Sequence, residues 1–368
     1  SRTQRAQGMS ANRLILQAAR WSGAMACARR MTRRKIRILT FHGVDPLRDP
    51  ILNFDGLQVE PRRFEAQLAE LARGYRVVPL REVVQALRGG RDPGQHTVVI
   101  TFDDGYRNNL EIAAPILRRM GMPATFFITT GYMDGVAQPW WYLFRALIRD
   151  APVPAIPDPM VPGRTHRLSS AKERIDVIRD IEPRLVCLSH ASREKALVRL
   201  TASCGLQPPE VTYPIMNPDQ VRSLKALGFD IGNHTHLHRS LRHEDASIVH
   251  EDLQGAHERL RALGLDPLPV VAYPYGLYPT DARAFIRCLH SVGLVAGCTT
   301  RFGLNDPDTP IYELRRLDIT GARDPLNMRS LLSGFTTWAQ SIRGRGVQGC
   351  FRLFMLGRTA QLMLSTFR

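Results

Sequence analysis

Two adjacent carboxylates, Asp103 and Asp104, close a run of β-branched and aromatic residues that begins at Thr97 and ends at Gly105. A buried strand is expected here, delivering both acids to its carboxyl end. That end is where parallel α/β folds gather their chemistry. Two neighbouring acids repel, so a cation or a raised pKa has to reconcile them. Asp-Gly is also a common turn pair, and alone this stretch fits a strand with a polar turn equally well. A second cluster, Gly228 to Leu241, is another short apolar strand ending in polar residues, with His234 and His238 four apart. On a helical turn that spacing sets two imidazoles on one face, where they can grip one metal. One aspartate and two histidines, each just beyond a strand, leave an open ligand position, the arrangement of a catalytic metal.

The elements that must place these residues alternate in type. Ile36 to Phe41 reads as the first strand and arrives at His42-Gly43, and a helix opens at Glu60-Pro61 with Phe64, Leu68 and Leu71 on one face. A short strand (Arg76 to Leu80) and helix (Arg81 to Leu87) precede the Asp-Asp strand, and a helix of about Arg107 to Met120 follows it. Ala124 to Thr130, Val270 to Tyr273, Leu294 to Thr300 and Arg316 to Thr320 supply further strands, about seven or eight in all. This βα alternation implies a parallel sheet with right-handed crossovers, which puts His42 on the same rim as Asp103. Between Gly131 and Glu210 the rhythm lapses into an aromatic helix from Pro139, a Pro-rich loop (Ala151 to Pro162) and one or two charged helices over Ser169 to Cys204. That stretch reads as an insertion.

With 368 residues, 44% hydrophobic and 23% charged, the chain has the composition of a soluble globular protein with a large core. The net charge of +16 suggests a nucleic-acid partner until its distribution is read. Residues 1–37 hold ten basic side chains and everything after Asp324 holds six, with no acid in either end, so the middle is neutral. A neutral core without interleaved aromatic and basic residues argues against nucleic acid. Cationic ends fit an anionic membrane surface or simply a solvated, arginine-rich composition; only four of the fifty basic residues are lysine. Six scattered cysteines (Cys27, Cys187, Cys204, Cys288, Cys298, Cys350) lack metal-knuckle spacing and suggest free thiols in a reducing compartment. No apolar run reaches the roughly 18 residues of a membrane span, and Arg20 interrupts the mildly apolar Leu14 to Cys27 stretch. The expectation is cytoplasmic residence, with peripheral contact at the inner membrane face through the basic ends.

Thr101-Phe102-Asp103-Asp104-Gly105, then His234-Thr235-His236-Leu237-His238, then Val270 to Gly276 resemble, in order, the first three motifs of the polysaccharide deacetylases, the NodB-homology group of carbohydrate esterase family four. The resemblance covers roughly residues 36–131 and 211–320. It implies a distorted (β/α) barrel of about seven parallel strands, here with a helical insertion, and three regions: a basic leader (1–35), the barrel (36–325, with insertion 132–210) and a basic amphipathic tail (326–368). It implies a divalent metal, Zn2+ before Co2+ or Ni2+, on Asp104, His234 and His238, with Asp103 as general base and a backbone N–H near Tyr275 stabilising the oxyanion. The substrate would be an acetylated glycan or lipid-linked sugar losing an N-acetyl group. An O-acetyl esterase and an inactive glycan-binding barrel are the alternatives. The family's third motif often carries an arginine that orients the base; here that position is Ala272, and Arg316 is the candidate replacement. The late Leu-His motif that supplies a general acid has no clear match, since Leu289-His290 sits in mid-helix, which leaves His42 as the acid. Trp140 and Trp141 either stack on sugar rings or anchor the insertion.

Overall fold

The computed structural model describes residues 14–47, 49–205, 214–320 and 325–343. Seven strands close the barrel: β1 (Arg37–Phe41), β2 (Thr97–Phe102), β3 (Thr125–Ile128), β4 (Asp230–Asn233), β5 (Leu268–Ala272), β6 (Ala296–Phe302) and β7 (Leu314–Asp318). All pair in parallel, in the ring order β1-β7-β6-β5-β4-β3-β2, and β2 returns to β1 through the register Arg37↔Val98 to Phe41↔Phe102. The short strand Arg76–Val77 stays outside the ring. It occupies the amino half of one edge of β2, at Thr97 and Val98, while β3 takes the carboxyl half at Thr101 and Phe102.

β1, β2 and β3 are buried along their whole length, as strands covered on both faces must be. Their side chains alternate. Ile38, Val99, Phe127, Ala272, Cys298 and Leu314 share the inner cluster. Leu39, Phe41, Ile100, Phe102 and Phe126 pack instead against Phe64, Leu68 and Leu71 of the helix Pro61–Ala72. On that outer face Phe41, Phe102 and Phe126 stack in succession at ring distances of 5.2 and 4.7 Å, fixing the register of three strands. The helix Leu80–Arg88 adds Leu80, Val83 and Val84 to the inner cluster, and its Arg81 pairs with Asp230 at the start of β4, so it plugs the amino end of the barrel. The carboxyl end is left for the site.

Two expectations need correction. The helix expected over Arg107 to Met120 opens as a π turn (Asn109–Ala113) before the helix Ala114–Arg119, because Pro115 has no N–H for the regular ladder and a wider turn accommodates its ring. The insertion is not wholly helical. Between the helices Trp140–Asp150, Ala171–Val186 and His190–Ser203 lies an antiparallel hairpin (Ala155–Pro157 with Thr165–Arg167), where a loop is expected. The described parts of the two ends pack on one another. Helices over residues 14–21 and Ala24–Met31, separated at the left-handed Gly23 (φ 76°), pack through Leu16, Ala19 and Met25 on Leu326 and Phe335 of the helices Pro325–Ser333 and Phe335–Arg343. The rest of the expected tail, including Phe351 and Leu353, lies outside the described residues.

The insertion has its own core of Phe144, Ile148, Ile156, Ile178, Ile181 and Leu200. It is clamped to the barrel loops by Arg145, whose buried guanidinium donates to Asp55 (2.6 Å) and Glu182 (2.7 Å). Removing one partner of such a pair strands the others. Arg145→Met is expected to lower the unfolding free energy by about 3–5 kcal/mol, measured by urea denaturation; a loss below about 1 kcal/mol would show that the clamp does not hold the insertion.

Candidate active site

Every group of the site sits just past the carboxyl end of a barrel strand or on its inner face. His42 follows β1 and Asp103 follows β2, and the Asp103 N–H donates to Phe41 O across 3.0 Å, placing both residues on one rim. His234 follows β4 and Tyr275 lies just beyond β5. Arg316 belongs to β7, two residues on from Leu314 of the inner cluster, and so it too points inward.

The two acids take different partners. Arg316 donates to both Asp103 oxygens, at 2.8 and 2.7 Å, while its Nε donates to Thr299 O. Ala272, where the related motif often has arginine, is a small neighbour in the inner cluster, and the guanidinium comes from β7. Asp104 turns to the histidines instead: its Oδ1 lies 3.3 Å from His234 Nε2 and 3.2 Å from His238 Nε2. Ligand atoms about 2.0–2.2 Å from a tetrahedral ion stand roughly 3.3–3.5 Å from one another, so this spacing fits a shared cation. The tautomers fit too. His234 Nδ1 faces Ala272 O at 2.8 Å; a carbonyl only accepts, so Nδ1 carries the proton and Nε2 offers its lone pair. His238 Nδ1 lies 3.0 Å from Tyr275 Oη, which also accepts from Trp140 Nε1 at 2.6 Å.

The four-residue histidine spacing does not work through a helical turn, as expected from the sequence. Residues 234–240 form no helix. Asn233 Oδ1 accepts from Thr235 N (2.7 Å) and Thr235 Oγ1 from His238 N (3.0 Å), folding the loop so that both rings converge on Asp104. Six described non-glycine residues have positive φ, and four of them, Asp104 (74°), Thr235 (66°), His238 (51°) and Tyr275 (58°), belong to this site. Such backbone is held only where surroundings over-determine it, typically where ligands are clamped.

Asp103, Asp104, His234 and His238 are each only 2–3% exposed. Burial would lift the Asp103 carboxyl, but the Arg316 guanidinium outweighs it and holds the group below the usual carboxylate range. Burial likewise opposes charge on Asp104, yet its hydrogen bonds to His234 and His238 bring it well below that range. Burial pulls His238 down to about 4. At His234 burial works in the same direction, but the charges of Asp103 and Asp104 overcome it and the pKa rises. His42 has a buried Nδ1 with no partner among the described residues. His236 and His243 turn to Thr130 and Ser240, and His290 rests on Tyr312, away from the site.

The wall over the histidines comes from residues that no motif marks. Trp141 lies 4.8 Å and Tyr132 6.0 Å from the His238 ring, centre to centre, and Arg193 of the insertion sits over Trp140 at 4.9 Å. The tryptophan pair is visible in the sequence as an aromatic helix start; Tyr132 and Arg193 carry no local signal.

The ion pair on Asp103 has a testable pH signature. A depressed folded-state pKa adds stability that is fully present above the unfolded value of about 3.9 and is lost as pH falls through the folded value. Arg316→Met should therefore lower stability by about 3–5 kcal/mol near neutrality, and the gap to wild type should narrow in acid when both are unfolded in urea across pH 3–7. A gap that widens in acid would contradict this.

The sequence profile described as polysaccharide deacetylase matches residues 90–151 and 210–292, the two segments that carry β2 to β3 and β4 to β5. Over 95 residues the chain is 34% identical to YxkH of Bacillus subtilis (strain 168), named for the same family; that match spans 26% of this chain and 32% of the relative, about a third of its length. The fold resembles that of the Streptococcus pyogenes deacetylase PplD, solved with acetate, with a TM-score of 0.54 at 19% identity over 82% of this chain and 99% of that one. It also resembles a polysaccharide deacetylase from Bacillus cereus, with a TM-score of 0.52 at 17% identity over 82% of this chain and 69% of that one. On the matched segments, with the acid and histidine motifs in order on a seven-stranded barrel, the chain resembles the polysaccharide deacetylases.

Proposed function

We propose that the chain hydrolyses the N-acetyl group of an amino sugar in a glycan or lipid-linked glycan precursor, with a divalent cation, Zn2+ by preference, held by Asp104, His234 and His238. The observation that carries this reading is one carboxylate oxygen 3.2–3.3 Å from two imidazole nitrogens, beside a second carboxylate that is fixed but not part of the set. When bound, such a cation lowers the pKa of water from about 15.7 toward 7 and polarises an acyl oxygen. A carboxylate held below its usual range is too weak a base for ordinary water, so the Arg316 pairing of Asp103 makes sense only beside that chemistry. Asp103 takes the proton of the attacking water as its oxygen bonds the acyl carbon. Arg316 keeps that carboxylate in place. A backbone N–H by Tyr275 meets the developing oxyanion, a role worth about 2.7–4 kcal/mol where measured for single donors. The C–N bond then breaks, the sugar nitrogen gains a proton, a role we assign to His42, and acetate leaves.

The cationic ends support work at an anionic membrane surface. Leu14, Ile15, Trp21 and Met31 are exposed on the first two helices, Trp21 at 85%, among Arg20, Arg30, Arg33 and Arg34 with no acid between them. Each such basic side chain near an anionic leaflet is worth about 1 kcal/mol. No helix among the described residues is long and apolar enough to cross a membrane.

Acetate release from a panel of N-acetylated and O-acetylated glycans, with and without chelator, tests the activity. Asp103→Asn should keep the metal, read by calorimetric titration, and lose about 10²–10⁴-fold in turnover, whereas His234→Ala should lose both. Near-native turnover by Asp103→Asn would remove it from the role of base. For the membrane, sedimentation with phosphatidylglycerol vesicles should exceed that with phosphatidylcholine vesicles and fall in Trp21→Glu. Equal sedimentation with both lipids would end this part of the reading.

A further inference from the structure

Among the described residues, four arginines are almost wholly withdrawn from solvent: Arg37, Arg145, Arg193 and Arg316. Three are satisfied. Arg37 donates to the carbonyls of Leu332, Lys35 and Thr32. Arg145 pairs with Asp55 and Glu182, and Arg316 with Asp103. Arg193 is different. It has no carboxylate among the described residues, its Nε and Nη1 have no hydrogen-bond partner, and its Nη2 reaches only His190 Nδ1 at a long 3.4 Å. A buried unpaired charge with idle donors is among the costliest arrangements in a protein interior. Folding alone gives no reason to keep it.

Its position suggests the reason. Arg193 lies in the first turn of the helix His190–Ser203, over the Trp140 ring, whose indole N–H donates to Tyr275, the partner of His238. Its charge bears on Tyr132, Tyr275 and His238. The four groups of the centre are themselves 2–3% exposed, and Tyr132, Trp140 and Trp141 stand beside them with Arg193. The layer next to the centre thus holds three aromatic faces and, among the described residues, one cation without a counter-ion.

We propose that Arg193 is the recognition site for an oxyanion carried by the substrate, a carboxylate or a phosphate ester on or next to the N-acetylated sugar. The idle Nε donor, with Nη2 beside it giving up only the long contact to His190, offers such a group the side-on, two-hydrogen-bond contact at which guanidinium excels, while Nη1 is left as a further donor and Trp140 backs the plane. The proposal deepens the deacetylase reading and rests on it for the sugar. The anion contact itself can be measured without turnover.

Two measurements on the full chain test it. In thermal unfolding, sodium phosphate and sodium glucuronate should each raise the wild-type Tm more than chloride at equal ionic strength, and Arg193→Gln should lose that extra shift. In turnover, kcat/KM is compared for a neutral N-acetylated oligosaccharide and for counterparts bearing a uronic acid or a phosphate; which counterpart wins tells the source of the oxyanion. The charged-to-neutral ratio should be about tenfold or more in wild type and fall toward one in Arg193→Gln, with Arg193→Lys between them. A wild-type ratio near one, or equal anion shifts in wild type and Arg193→Gln, overturns the proposal. Should Arg193→Gln fail to fold, Arg193→Lys takes its place in both comparisons and must lose at least part of the shift and the ratio; unchanged values overturn the proposal. If no glycan yields acetate, the deacetylase reading falls and the thermal shifts alone decide Arg193.

Discussion

Two carboxylates on consecutive residues cannot both stay ionised inside a protein unless each finds a cation of its own. That constraint organises the whole carboxyl face of this barrel. Asp103, directed inward by the strand's alternation, meets a guanidinium from the last strand; Asp104, turned the other way by a left-handed backbone, meets two imidazoles from a loop past β4. In the proposed reaction this separation by partner is also a separation by task, with one acid held ionised as the base and the other left to a cation.

Much of this is legible in the chain itself. A strand of β-branched residues that ends in Asp-Asp, with His-x3-His after another strand, specifies the ligand set because parallel strands deliver their carboxyl ends to one rim. His42 follows by the same logic, from the register of β1 on β2. Arg316 needed the related motif's missing arginine as a clue, and its geometry became plain only when the ring closed. What stays hidden depends on long-range packing. The histidine loop is built by Asn233 and Thr235 hydrogen bonds rather than helical periodicity, and no window of sequence distinguishes the two. Tyr132, Trp140 and Arg193 reach the centre through an insertion whose docking is set by the Arg145 clamp and by its own core, neither of which has a periodic signature.

The insertion gives this barrel its individuality. Strands β2 to β5, both acids and both histidines lie in segments matched by a family profile, and residues 152–209 do not. Tyr132, Trp140 and Trp141, which roof His238 and hold Tyr275, fall inside the matched segments, whereas Arg193, the cation with no partner among the described residues, falls outside them.

The contact between Asp103 and Arg316 joins positions 213 residues apart, and β7 is the strand that seals the ring against β1. A nascent chain that has already emitted both acids and both histidines therefore still lacks the guanidinium. A polypeptide interrupted anywhere before Arg316 leaves its inner carboxylate with nothing to hold it.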